Sequence, residues 1–181
     1  MRIRGEKLKR LSEQTGIGIE ELVSSVERTG LEGDRAITAV KNWMAGRDHP
    51  RCKARDIAAM AQTLGCEVRE LATFTSEIKF HRGSDRKARL IVDMIRGKQA
   101  DEALTILSFA PQRAAVNVKK ALAAAVADAE LADADVGELF VATATVDGAK
   151  PLKRFRPKDR GRAHQILKRQ SHITVSVQER D

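Results

Sequence analysis

The sequence predicts an α+β protein in two parts: an all-α bundle over residues 1–73, then a unit over residues 76–181 in which three helices precede two long strands. Three observations carry that prediction. Apolar residues recur every three or four positions as far as Ala129, the period changes to two after Gly137, and the net charge is concentrated in one segment between the two strands.

The elements follow in order. Leu8 and Leu11 share one helix face; Ile19, Leu22, Val23 and Val26 form a second stripe, and Ile37, Val40, Trp43 and Met44 a third. The turn GRDHP leads to a helix carrying Ile57, Met60, Ala61 and Leu64, which Gly65 should stop, and a last short turn holds Val68 and Leu71. Phe74, Ser76, Ile78 and Phe80 alternate along a segment that reads either as a linker or as an edge strand. From Ser84 onward, Leu90, Ile91, Met94 and Ile95 predict an amphipathic helix ending at Gly97. Asp101 and Glu102 favour the positive end of a short helix with Ala103, Leu104, Ile106 and Leu107. Pro111 suits the first turn of a third helix, whose Ala114, Val118, Ala121, Leu122, Ala125 and Ala129 share a face small enough for close packing. Phe140, Ala142, Ala144 and Val146 then alternate with Val141, Thr143 and Thr145, as Ile173, Val175 and Val177 do with Thr174 and Ser176. The economical arrangement is a hairpin over about residues 139–177, paired at its root and protruding at its outer half; an arm of about ten residues reaches about 30 Å.

The chain has 181 residues, 42% hydrophobic and 32% charged, a globular rather than disordered balance. No apolar run approaches the ~18–20 residues of a spanning helix, and MRIRGEKLKR opens the chain with charge in place of a signal peptide's apolar core, so no membrane partner is expected. Cys52 and Cys66 are too few for a disulfide scaffold or a metal cluster, which leaves inert thiols in a reducing compartment as the expectation. Lys and Arg number 33 against 25 Asp and Glu, a net +8. Between Lys150 and His172 nine cations meet Asp159 alone, again +8, and the remainder balances at 24 of each sign. A chain neutral everywhere but in one short stretch concentrates its field for a polyanion, nucleic acid first.

That stretch, KPLKRFRPKDRGRAHQILKR, has Lys and Arg at nearly alternate positions, so an extended ribbon would carry cations on both faces and need a counter-charge. Arg offers forked donors for phosphate, Phe155 a face for a base, and Pro151 and Pro157 keep the backbone extended without N–H groups to satisfy. The competing reading is a solvated basic loop. A smaller set, Arg82, Arg86, Lys87, Arg89, Arg96 and Lys98, flanks the first helix of the second unit, where Asp85 and Asp93 favour local pairing on a solvated face. His164 and His172 have no Cys or paired carboxylates at ligand spacing, Ser171 and His172 point to opposite faces of a strand, and no Gly-rich phosphate loop occurs. The expectation is therefore no enzyme, no metal and no cofactor, with His172 a hydrogen-bonding group at a strand end.

KARLIVDMIRGK from Lys87 to Lys98, EALTIL, the alanine-rich helix ending AVADAE, LKRFRP, GRA, ILKR and SHITV, in this order and spacing, resemble the bacterial large-subunit ribosomal protein family numbered L twenty-two over about Ile78 to Val177. The resemblance implies three helices on a small antiparallel sheet, with a long hairpin threading through large-subunit ribosomal RNA (rRNA) to the wall of the nascent-peptide exit tunnel. It implies a structural protein of the cytoplasmic ribosome that aids subunit assembly. The implied partners are rRNA, neighbouring ribosomal proteins, the nascent peptide and, near the hairpin tip, macrolide-type antibiotics. Implied RNA contacts are Lys87, Arg89, Arg96 and Lys98 on the globular part, and Lys153, Arg154, Phe155, Arg156, Lys158, Arg160, Arg162, Lys168 and Arg169 on the hairpin. Leu152, Lys153 and Arg154 are placed at the tip, beside the tunnel constriction. The chain departs from the family pattern at Asp128, in Asp147-Gly148-Ala149-Lys150-Pro151, which is a residue longer before the tip, and at Lys158-Asp159, where an acid could fold back on Arg154 or Arg156.

Residues 1–73 have no counterpart in that family. Their second half, VKNWMAGRDHPRCKARDIAAMAQTLGCEVREL, is similar to the end of a Cro-repressor-type helix-turn-helix domain through Gly46, Pro50, Ala61, Leu64, Gly65 and Leu71. The segment between Leu22 and Gly46 is about seven residues longer than that tight geometry allows, and residues 1–75 carry only +2, from 13 cations and 11 acids. A DNA-binding transcriptional regulator using this helix-turn-helix is the alternative reading, and it leaves the +8 hairpin without a role.

Overall fold

The computed structural model describes residues 1–26 and 28–180. The chain divides into two compact units, Met1–Phe74 with Asp128–Ala134, and Thr75–Ala127 with Asp135–Asp181.

The first unit holds β1 (Arg2–Ile3) and five helices, α1 (Gly5–Thr15), α2 (Ile19–Val26), α3 (Asp34–Met44), α4 (Ala54–Leu64) and α5 (Val68–Leu71). β1 pairs antiparallel with Ala72 and Thr73, the start of β2 (Ala72–His81). Leu8, Leu22, Val23, Val26, Ile57, Met60, Leu64 and Leu71 are buried, as their spacing predicts. On α3 the buried set is Ala36, Ala39, Val40 and Trp43, while Ile37 and Met44 are only half-buried. The alanines let the helix axis approach its neighbours closely, and the Trp43 indole N–H donates to the Pro50 carbonyl at 2.6 Å. Gly5 lies against the Trp43 carbonyl, where any added Cβ would collide with backbone.

Arg28 and Asp56 form a largely buried pair at 3.2 Å. Asp56 also accepts from the Lys53 N–H at 2.8 Å and so satisfies a donor at the start of α4. Burial, helped by the carboxylates of Asp56 and Asp48, pushes the Cys52 thiol up to about 12; burial and Glu70 raise Cys66 as well. Both sulfurs therefore stay protonated at neutral pH and are poor nucleophiles. Between α2 and α3 the described residues 28–33 are already longer than the three- or four-residue turn of a helix-turn-helix, and contain the Arg28–Leu31 bridge.

The second unit contains α6 (Asp85–Ile95), α7 (Ala100–Phe109), α8 (Arg113–Glu130) up to Ala127, β3 (Leu139–Pro157) and β4 (Ala163–Glu179), with strands in the order β2-β4-β3. The segment left open as linker or strand is β2. Its Thr75 hydroxyl lies 2.9 Å from that of Ser176 on β4. The alternation ends at Phe80, which is exposed and has φ of 55°.

On α6 the sequence predicts a stripe of Leu90, Ile91, Met94 and Ile95; the buried face is instead Ala88, Ile91, Val92 and Ile95. Leu90 and Met94 are 65% and 46% exposed. Spacing of three, one and three residues fits a single helical face around the small Ala88, and the two larger side chains fall beside it. α6 packs on β3 and β4, and α7 on α6 and β3. Ala115, Val118, Ala121, Leu122, Ala125, Val126 and Ala129 form the buried side of α8.

β3 and β4 pair from Leu139 opposite Glu179 out to Pro157 opposite Ala163. Ile173, Val175 and Val177 are fully buried, as expected. β3 differs from its predicted phase because of an irregularity between Val141 and Thr143. Leu139 and Val141 are buried before it and Ala144 and Val146 after it, so Phe140 does not share their face. One extra residue in a strand inverts the alternation beyond it.

Candidate nucleic-acid interface

The hairpin ladder runs to Pro157 opposite Ala163, with register shifts between Val141 and Thr143 and between Ala149 and Leu152. Its turn is Lys158 to Arg162: the Lys158 N–H donates to the Arg162 carbonyl at 2.7 Å, and Arg160 and Gly161 both take positive φ, 53° and 69°. Gly161 accepts that conformation without strain, which a β-branched or bulky residue would not. The placement of Leu152, Lys153 and Arg154 at the tip is corrected. They pair with Lys168, Leu167 and Ile166 in the arm, and none occupies a turn conformation. Lys150 and Pro151 form a bulge opposite Arg169, so the residue that lengthens this approach is absorbed as a bulge and Pro151 needs no ladder N–H.

The expected cations are present on both faces, but unevenly. Directly paired residues share a face, so Leu152, Arg154, Arg156, His164, Ile166 and Lys168 lie on one side. The other side carries Lys153, Phe155, Gln165 and Leu167. Phe155 is 74% exposed, with Leu167 diagonally across the ladder. The first face thus carries Arg154, Arg156 and Lys168 for phosphate oxygens, and the second pairs a single cation, Lys153, with the exposed Phe155 as a stacking surface.

Side chains from Lys153 to Arg169 are exposed throughout. Arg162 lies 3.8 Å from Asp159, and Arg169 3.7 Å from Asp85. Asp159 therefore turns to Arg162 and not to Arg154 or Arg156. Among the described residues the remaining cations of the arm, Lys150, Lys153, Arg154, Arg156, Lys158, Arg160 and Lys168, have no carboxylate within 4.0 Å.

The globular cations behave differently. Arg89 pairs with Asp85 at 3.6 Å and reaches the Val146 carbonyl. Arg96 pairs with Asp93 at 3.0 Å and donates to the Ala144 carbonyl at 2.8 Å, and Lys98 pairs with Glu102. These groups fasten α6 and its C-terminal end to neighbouring elements, while their side chains stay partly open to solvent. Lys87 is exposed on the rim of a cavity of about 420 Å³ with Arg82 and Arg113.

The loop from β2 to α6 carries what sequence reasoning missed. His81 is buried, its Nδ1 2.6 Å from the Asn117 amide nitrogen, and burial followed by the Arg113 charge lowers its pKa. A Cβ on Gly83 would lie 2.5 Å from His81 Nε2. His172 is a hydrogen-bonding group as expected, but in the middle of β4 opposite Asp147 rather than at a strand end: its Nδ1 accepts from the Phe80 N–H at 3.3 Å, and the two rings meet edge-on at 4.9 Å. This loop sets Arg82 beside the hairpin. A second cavity, about 480 Å³, brings Arg82 together with Arg154, Lys168 and Arg169. The signal available in sequence was Gly83, a small residue between Arg82 and Ser84 directly after an alternating strand.

Among the described residues no helix is long and apolar enough to cross a membrane. A comparison with protein-family models matches residues 76–178 to the family described as Ribosomal protein L22p/L17e. The match takes in the body of the second unit and the whole hairpin, lies entirely after the helical bundle, and lends no support to the DNA-binding regulator. Spanning more than half of the sequence, it shows that the chain belongs to the ribosomal protein L22p/L17e family and is a structural constituent of the large ribosomal subunit.

Proposed function

We propose that the second unit binds large-subunit rRNA, aids subunit assembly in the cytoplasm, and lines the nascent-peptide exit tunnel with the outer part of its hairpin. The observation that carries this reading is the exposed ribbon from Lys153 to Arg169, most of whose cations lack an internal carboxylate partner. A two-stranded ribbon is marginal by itself in water, and one dense in like charge is costlier still. Insertion into RNA supplies both the counter-charge and the packing. Lys158 to Arg162 form the part that reaches furthest, with Leu152, Lys153 and Arg154 acting along the arm. Nascent peptide and macrolide-type antibiotics would meet this outer part, and neighbouring ribosomal proteins the body.

Sedimentation of extract from cells making the tagged chain tests the reading. The chain should travel with large subunits after washing in moderate salt. Recovery only with soluble protein would overturn it.

A further inference from the structure

We propose that the cavity where the hairpin leaves the body of the second unit holds one backbone phosphate of the bound RNA, gripped jointly by Arg82 from the body and by Arg154 and Lys168 from the hairpin. The inference rests on the rRNA-binding reading and deepens it, because it names one contact that fixes the hairpin to its base on a shared anion.

The cavity, about 480 Å³, is lined by four cations and by no acid. Of the four cations Arg169 alone has a carboxylate partner among the described residues, Asp85 at 3.7 Å, which also holds Arg89 at 3.6 Å. Arg82, Arg154 and Lys168 have no ion pair among the described residues. Like charges gathered from positions some seventy residues apart in sequence repel one another unless an anion sits between them. Guanidinium forks facing an ammonium match the several oxygens of a phosphate, and the Ser84 hydroxyl on the same wall adds a donor.

Arg82 is also held in place beforehand. It follows Phe80, whose φ of 55° is a strained conformation for a bulky residue and is maintained by the contact with His172. It follows His81, anchored on Asn117, and precedes Gly83, which His81 contacts too closely to admit a side chain. A loop fixed on both sides of an exposed arginine presents that arginine with little entropy left to lose on binding.

The test is a salt titration of full-length chain binding to a large-subunit rRNA fragment, comparing wild type with the triple variant Arg82→Gln, Arg154→Gln and Lys168→Gln, each checked for an unchanged melting curve. Each phosphate neutralised contributes about 0.7 to the log–log slope for single-stranded RNA and about 0.9 for a duplex. If Arg82, Arg154 and Lys168 share one phosphate, the triple variant loses about 0.7 to 0.9 in total. Arg156→Gln, Arg160→Gln and Arg162→Gln together are the additive control, at about three times that loss. A tripled loss for the cavity variant, or no loss, would overturn the shared site while leaving RNA binding intact. A wild-type chain without salt-dependent binding would instead overturn the reading on which the site rests.

Discussion

Charge is handled in opposite ways by the first unit and by the hairpin. In the first unit Asp56, 3% exposed, takes Arg28 at 3.2 Å and the start of α4 at 2.8 Å, so its charge is spent inside the fold. In the hairpin nine cations stand against Asp159, and the arm beyond the bulge is open to solvent. A buried pair stabilises only while both members are present, since removing one leaves the other stranded. An exposed unpaired ribbon contributes little to folding and is available to a partner. One region should therefore respond to mutation through stability, the other through salt-dependent binding.

The largest expected effect breaks the first region alone. Asp56→Ala should cost about 3–5 kcal/mol of stability, because it strands the Arg28 guanidinium and removes a cap acceptor together. Denaturant unfolding would read the loss, and RNA affinity of the still-folded fraction should keep its salt slope. Next, Arg156, Arg160 and Arg162 changed together to Gln should flatten the slope by about 2, at about 0.7 per phosphate, with no change in melting. An unchanged slope would take the hairpin out of the electrostatic contact. Phe155→Ala sharpens the comparison within the hairpin itself: the loss should be about 1–3 kcal/mol of binding with the slope intact, because a stacked base releases no counterions. A slope change for this variant would mean that the two faces of the ribbon do not divide the contacts.

Sequence reached the order of the elements and the existence of the hairpin because periodicity and charge are local properties of the chain. What it missed depended on small residues and single insertions. Ala88 and Ala36 mark where helices approach closely, yet a count of large apolar side chains passes over them in favour of Leu90 and Ile37. The irregularity after Val141 inverts the face of half a strand without altering its composition. The resemblance placed the tip at Leu152, Lys153 and Arg154, but these pair along the arm, while the backbone reverses where Arg160 and Gly161 take positive φ. Of the cavity around Arg82 the sequence carried only Gly83 as a signal, since the cavity joins residues far apart in sequence through a loop held by His81, Gly83 and His172.

The smallest expected effect concerns His81, and it tests whether that loop is held as described. The imidazole is buried; burial first, and the Arg113 charge on α8 second, lower its pKa below the ordinary value near 6.5. Arg82 in its own loop and Lys87 on α6 line the same cavity, so each packed element presents positive charge. In the unfolded chain the ring takes its proton near pH 6.5, whereas in the fold it does so only at lower pH. Above 6.5 both states are neutral there and the fold keeps its full stability. As pH falls from 6.5 toward the folded value, the unfolded state binds the proton and the folded state does not, so stability drops; below that value the two states bind equally and the decline from this group stops. The Asn117 amide lies 2.6 Å from Nδ1, the nitrogen that accepts in the neutral ring, and protonation would turn this contact into donor facing donor until the amide flipped. His81→Gln should therefore flatten the dependence of unfolding free energy on pH just below 6.5, before carboxylates begin to titrate, and lower stability slightly at pH 7.5. If the variant tracks the wild-type curve through that window, the ring is not held neutral and the loop that carries Arg82 is looser than its hydrogen bonds imply.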